Sequence, residues 1–211
     1  MTPESAPLAD RIRACRLCAG RFATTATAHH PRPVVWFEPG ARILIAGQAP
    51  GARVHASGRP FTDPSGDRLR HWLGIDTATF YDRSRIAIVP AAFCFPGYDV
   101  KGADLPPPPI CAATWGAEVD AALPGIRLRI LAGASAFRRH LGLNAPVDAL
   151  VRDWHTRAPH TFLLPHPSWR NSGWLKRNPW FEADLLPDLR RAVQAALAAT
   201  AMPPRNTRIT D

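Results

Sequence analysis

The stretch Ile43–Phe61, ILIAGQAPGARVHASGRPF, decides the fold. Its first four residues, Ile43-Leu44-Ile45-Ala46, form an apolar run without polar alternation, the pattern of a parallel strand buried on both faces. Gly47-Gln48-Ala49-Pro50-Gly51 then ends the run, because a segment this rich in Gly and Pro neither continues a strand nor opens a helix. A loop in that position lies at the carboxyl end of a strand, where open α/β sheets bind their ligands. Gly58-Arg59-Pro60-Phe61 returns an aromatic side chain through a second turn. The stretch therefore predicts the floor and one wall of a pocket for a flat ligand.

Three further apolar runs repeat the pattern at Ile86–Val89, Leu128–Leu131 and Thr161–Leu164. Between them, residues recur at helical spacing. Asp67–Leu73 presents Leu69, Trp72 and Leu73 on one face, Thr114–Leu123 and Gly133–Leu141 read as helices, and Pro179–Ala199 closes the chain with a long apolar stripe. Ahead of the first strand, Leu8–Cys18 reads as a short helix and His29–Pro33 as an extended connector. Strands alternating with helices predict an α/β fold, a three-layer α/β/α sandwich around a mostly parallel sheet of about four strands. A single domain over residues 1–211 is expected, with 1–7 and 200–211 as flexible tails.

The chain has 211 residues, enough for one domain with a sizeable core. It contains no apolar run of about 18 residues and no signal-peptide core, so a cytoplasmic, intracellular protein is expected, with no membrane partner. A formal net charge of +9, carried mainly by Arg, favours a polyanionic partner. A genome that prefers Arg codons is the plain alternative. With 23 Pro and 7 Trp, segments such as Leu105–Pro109 are expected as ordered irregular loops rather than parts of a helical bundle.

The cysteines are Cys15-x-x-Cys18, Cys94 and Cys111. Disulfides are not expected in an intracellular chain. A C-x-x-C pair brings two thiolates to one metal centre, and two more from elsewhere complete a four-thiolate site for iron–sulfur or zinc. Buried small hydrophobes beside a chance C-x-x-C are the alternative. A thioredoxin-like role is disfavoured, because this C-x-x-C does not follow the strand of a βαβ unit.

Taken together, Gly47-Gln48-Ala49-Pro50-Gly51, Gly58-Arg59-Pro60-Phe61, His166-Pro167-Ser168 and the order of the cysteines resemble the uracil-DNA glycosylase superfamily. The resemblance is strongest to its iron–sulfur branches, families 4 and 5, whose motifs stand at the same strand ends. It implies a structural 4Fe-4S cluster on Cys15, Cys18, Cys94 and Cys111. It implies a base turned out of DNA into a pocket formed by Gly47, Gln48, Ala49, Phe61 and Ser168, with Phe61 stacked on the base. His166 takes the role of donor to the base oxygen on which negative charge collects. Ser65, Arg170, Lys176 and Arg177 take the DNA contacts, the last three in a stretch, Trp169–Arg177, that enters the minor groove in the family. A basic surface loop with its Trp side chains packed inward is the alternative for that stretch.

The departures from the family are specific. Ala49 stands where family 1 carries Asp, and Gln48 where family 4 carries Glu. Val54-His55 replaces a Glu-Asp pair. Family 5 carries Asp in F-T-G-D-x-S-G, and this chain reads Phe61-Thr62-Asp63-Pro64-Ser65-Gly66, one residue shorter. Asp63 is therefore the first candidate to position water or stabilise the sugar cation, and His55 the second. A helix cap or an Asx turn is the alternative for Asp63. Pro90 replaces an Asn that reads the uracil edge, and it has no side-chain donor or acceptor and no N–H. Relaxed or shifted base choice follows: uracil, a substituted uracil or a deaminated purine. The loop Phe95–Ile110 has no His, so covalent trapping of the product is not expected. The expected function is a monofunctional DNA glycosylase acting on a deaminated base, with no obligate protein partner. A catalytically weak lesion- or single-strand-binding protein is the rival, and a small-nucleotide pocket protein a third possibility.

Overall fold

The computed structural model describes residues 6–198. Of the tails expected over 1–7 and 200–211, residues 1–5 and 200–211 lie outside the described residues, as does Ala199, the expected helix end. The Pro7 carbonyl accepts from the Asp10 and Arg11 N–H groups, and Pro7 caps the first helix. In chain order the elements are α1 (Leu8–Arg13), α2 (Ala19–Ala23), β1 (Ile43–Ala46), α3 (Ala52–Ser57), α4 (Pro64–Leu73), α5 (Thr77–Tyr81) and β2 (Ile86–Ile88). They continue with α6 (Pro109–Ala122), β3 (Leu128–Ala132), α7 (Ala134–Leu141), α8 (Val147–Arg152), β4 (Thr161–Leu164), α9 (Ser172–Arg177) and α10 (Leu186–Ala198).

The four strands form one sheet in the order β2-β1-β3-β4, and every neighbouring pair is parallel. Ile45 of β1 stands opposite Ile88 on one side and Ile130 on the other, while Leu131 of β3 faces Leu163 of β4. Trp36 adds a single antiparallel bridge to Ile88. All four residues of β1 are buried. Successive strand side chains point to opposite faces, so this sheet is covered on both. Helix α10 packs on β1, β3 and α4, α7 on β3, α8 on β4, and α5 on β2. The fold is thus α/β with a parallel sheet flanked by helices. Among the described residues, no helix is long and apolar enough to cross a membrane.

The differences from the sequence reading have local causes. The helix expected over Leu8–Cys18 stops at Arg13, because Arg16 folds back and donates to the carbonyls of Arg13 and Cys15. Helix α6 starts at Pro109 rather than Thr114; proline has no N–H to lose in a first turn, so the end of the proline run initiates the helix. The closing helix is not uniform. A π-helical turn over Phe181–Leu185 precedes α10, and Pro187 explains it, since its ring and missing N–H disrupt the i→i−4 bond to Ala183. Trp169–Arg177 is a short 3-10 turn over Trp169–Asn171 followed by α9, not a loop.

Because all strands run the same way, the loops after β1, β2 and β4 meet along one edge of the sheet. Helix α4 is built to face that edge from firm ground. Leu69, Trp72 and Leu73 are fully or almost fully buried, and Trp72 meets Phe181 edge-on with ring centroids 4.9 Å apart.

Candidate active site

A cleft of about 510 Å³ opens at the carboxyl edge of the sheet. That volume lies within the roughly 300–1,000 Å³ range of sites for small organic groups. Gly47–Gly51 from the β1 loop, Phe61 and Asp63 to Ser65, Pro90 and Pro96 after β2, and His166 and Ser168 to Asn171 after β4 line it. Val34 and Trp36 complete the wall beside β2. The β1 loop is tied down through its carbonyls, since the Gly47 oxygen accepts from Ala91 and the Gln48 oxygen from Ala92, at 3.0 and 3.2 Å.

Phe61 is held in an uncommon backbone state. Its φ is +54°, a left-handed conformation that costs a non-glycine residue about 1–3 kcal/mol. Its carbonyl is clasped from three sides. Tyr81 Oη lies 3.0 Å from the Phe61 oxygen and 2.9 Å from that of Pro60, and Arg70 Nη1 donates to Phe61 at 3.3 Å. The third side is Gly66, where an added Cβ would stand 1.9 Å from the same oxygen. Arg59 lies over the Tyr81 ring at 3.6 Å, and Asp67 holds Arg70 at 2.6 Å. The Phe61 ring meets Phe80 edge-on, 5.8 Å between centroids, so a core aromatic backs the ring that lines the cleft.

His166 follows β4 directly, and its turn is braced from two elements. Asn171 Nδ2 donates to the His166 carbonyl at 2.7 Å. Arg68 of α4 donates to the Ser168 carbonyl at 2.8 Å and to Ser172 Oγ at 3.1 Å. Burial lowers the His166 pKa from its ordinary value, with the charges of Asp63 and Asp104 opposing that shift and Arg170 adding to it. The imidazole is therefore neutral at neutral pH and carries one ring N–H to donate.

Asp63 caps α4. Its Oδ1 accepts from Ser65 Oγ at 2.5 Å and from the Gly66 N–H at 3.3 Å, so both bonds fall on the same oxygen. It lines the cleft as well, and Ser65 lines it beside its Asp63 partner. Ser168 lines the cleft too, with its Oγ accepting from the Arg170 N–H at 3.2 Å. Arg170 is exposed on the cleft rim next to Trp169, which is 74% exposed. Lys176 and Arg177 are exposed on α9, outside the cleft lining. Trp174 of the same helix points inward, donating to Asp148 at 2.7 Å and meeting Phe181 edge-on. His55 is not part of the cleft lining; it packs against His29 and Phe95. Sequence reasoning missed Trp36, Arg68 and Asp104 at this site.

The four cysteines line a second hollow, which is mostly apolar and bounded by Ile12, Phe22, Phe93 and Trp115. Burial pushes the Cys94 thiol up to about 12, helped by the neighbouring Cys111, Cys18 and Cys15. Burial likewise pushes Cys111 up to about 11, against a hydrogen bond from the Phe93 N–H to its Sγ at 3.4 Å. Among the described residues, no three His, Cys, Asp or Glu side chains close around a point suited to a single metal ion.

The fold and the cleft define a class: an α/β protein with a cleft at the carboxyl ends of parallel strands, walled by the Phe61 ring on one side and the half-buried His166 on another. Residues 34–190 match the family model described as the Uracil DNA glycosylase superfamily. The chain belongs to that superfamily. Membership gives the cleft the setting of a DNA glycosylase-like activity.

Replacing Gly66 tests the clasp on Phe61. At an ordinary helical site Gly→Ala stabilises by up to about 1 kcal/mol. Here G66A is expected to destabilise by about 2 kcal/mol, because the new methyl overlaps the Phe61 carbonyl. Urea unfolding midpoints of the two proteins check it, and a variant as stable as the wild type would show that the close approach is absent.

Proposed function

We propose that the protein is a DNA glycosylase that hydrolyses the N-glycosidic bond of uracil, or of a related deaminated base, turned out of DNA into the cleft. The observation that carries this reading is the presence in one cleft of a backbone-locked Phe61 and a half-buried His166 on a turn braced by Asn171 and Arg68. The base stacks on Phe61, with Gly47, Gln48 and Ala49 along its edge. As the glycosidic bond breaks, electrons move onto the base, and the His166 N–H donates to the base oxygen where that charge collects. A neutral donor keeps its hydrogen bond without placing a second cation beside the sugar cation. The Asp63 carboxylate stabilises that sugar cation from the N-terminus of α4. Ser65, Arg170, Lys176 and Arg177 contact the DNA backbone, in keeping with the net charge of +9. Pro90 on the wall has no side-chain donor or acceptor and no N–H to offer the base edge, which supports a base choice wider than uracil alone.

The same reading assigns the chain to the iron–sulfur branches of the superfamily. Four thiols around one apolar hollow suit a cationic group, because thiolates there are costly without one. Cys15, Cys18, Cys94 and Cys111 would hold a 4Fe-4S cluster, whose part is structural. It would join the C-x-x-C segment to the loop after β2 and to the first turn of α6.

Oligonucleotides carrying uracil, hypoxanthine or xanthine test the activity. Wild-type protein is expected to release free base from at least one of them and leave an alkali-labile site. H166A is expected to slow that release by about 10²–10³-fold, the usual loss on removing one transition-state donor. Binding of all three oligonucleotides without release from any would overturn the enzyme reading in favour of a lesion-binding protein. Anaerobically purified protein is expected to be brown, with about four irons per chain. Colourless protein with one zinc would contradict the cluster and leave the glycosylase reading intact.

A further inference from the structure

The only carboxylates lining the cleft, among the described residues, are Asp63 and Asp104. They differ in what already occupies them. Asp63 gives Oδ1 to the α4 cap and to Ser65. The Asp104 side chain makes no hydrogen bond or ion pair among the described residues, and the residue is exposed to water. Its backbone, by contrast, is firmly set. Asp104 bridges Tyr98 in an antiparallel pair, and Asp99 closes the turn between them. The Asp99 N–H donates to the Ala103 carbonyl at 2.9 Å, while its Oδ1 accepts from the Lys101 and Ala103 N–H groups at 2.8 and 2.9 Å. The Leu105 N–H donates to the Gly97 carbonyl at 3.0 Å, and Thr25 leaves no room at Gly97 for a side chain, whose Cβ would stand 2.8 Å from its Oγ1. A free carboxylate on a rigid turn, in the same cleft as the proposed base donor, is the arrangement a water-activating base needs.

We propose that Asp104 holds and deprotonates the attacking water, a role that rests on the glycosylase reading above. In this step the bond from the sugar C1′ to the base nitrogen breaks, and its electron pair leaves with the base. The water oxygen forms the new bond to C1′, and its proton passes to the Asp104 carboxylate and then to solvent. The departing base anion, held by His166, takes a proton from solvent. Asp63 and Asp104 thus divide the work, one facing the sugar cation and the other the water. The charge of Asp104 already reaches the His166 ring, where it opposes the effect of burial.

Single-turnover base release by the full chain, with affinity for uncleaved DNA measured in parallel, tests the assignment. D104N is expected to slow release by about 10²–10⁴-fold, with DNA affinity and thermal stability close to wild type. Added formate is expected to restore part of the lost rate to D104A, which a purely structural role for Asp104 would not allow. If the wild type releases base and D104N does so within about threefold of it, the assignment to Asp104 is overturned and the glycosylase reading stands. If the wild type releases no base from any oligonucleotide, the glycosylase reading fails and this assignment falls with it.

Discussion

The Phe61 carbonyl is the point on which the site depends. Tyr81 and Arg70 converge on it, and Gly66 stands so close that no other residue fits. Those contacts offset a left-handed backbone that phenylalanine does not adopt by itself. The strain has a consequence. The locked backbone fixes the ring in the cleft lining, where Phe80 backs it edge-on. Rigidity suits the stacking role proposed for Phe61, because little freedom remains to be lost on binding.

Helix α4 gathers most of these functions into one element. Its cap is Asp63, its third residue is Gly66, and Arg70 returns to Phe61. Arg68 reaches across to the Ser168 carbonyl and to Ser172, so the histidine turn and the aromatic wall share one support. Leu69, Trp72 and Leu73 fasten the same helix to the core. The two walls of the cleft are therefore fixed relative to each other through α4 rather than through the sheet alone.

The sheet was legible because strands buried on both faces are written as apolar runs, and Ile43–Ala46, Leu128–Ala132 and Thr161–Leu164 stand out as such. Helices of five or six residues are too short to display a period, so Ala52–Ser57, Val147–Arg152 and Ser172–Arg177 went unread. The π-helical turn was hidden for another reason: Pro187 sits inside an apolar stripe that looks continuous. At the site, the residues at strand ends could be read from their motifs. Arg68 could not, since a single Arg on a helix gives no sign of what it reaches. Asp104 was obscured by the prolines around it, although Asp99 and Gly102 mark a turn that would have set it apart. Asp63 carried two readings, and its hydrogen bonds establish the cap, while its position in the cleft leaves room for the other.

The account rests on a base lying against Phe61 with His166 at its oxygen. The most direct measurement is a crystal structure with DNA containing a 2′-fluorinated deoxyuridine, whose fluorine destabilises the sugar cation and so preserves the bond. The account predicts the uracil outside the duplex, stacked on the Phe61 ring, with a His166 nitrogen within hydrogen-bond distance of a base oxygen. A uracil still paired in the helix, or one bound away from Phe61 with the cleft facing no DNA, would contradict it.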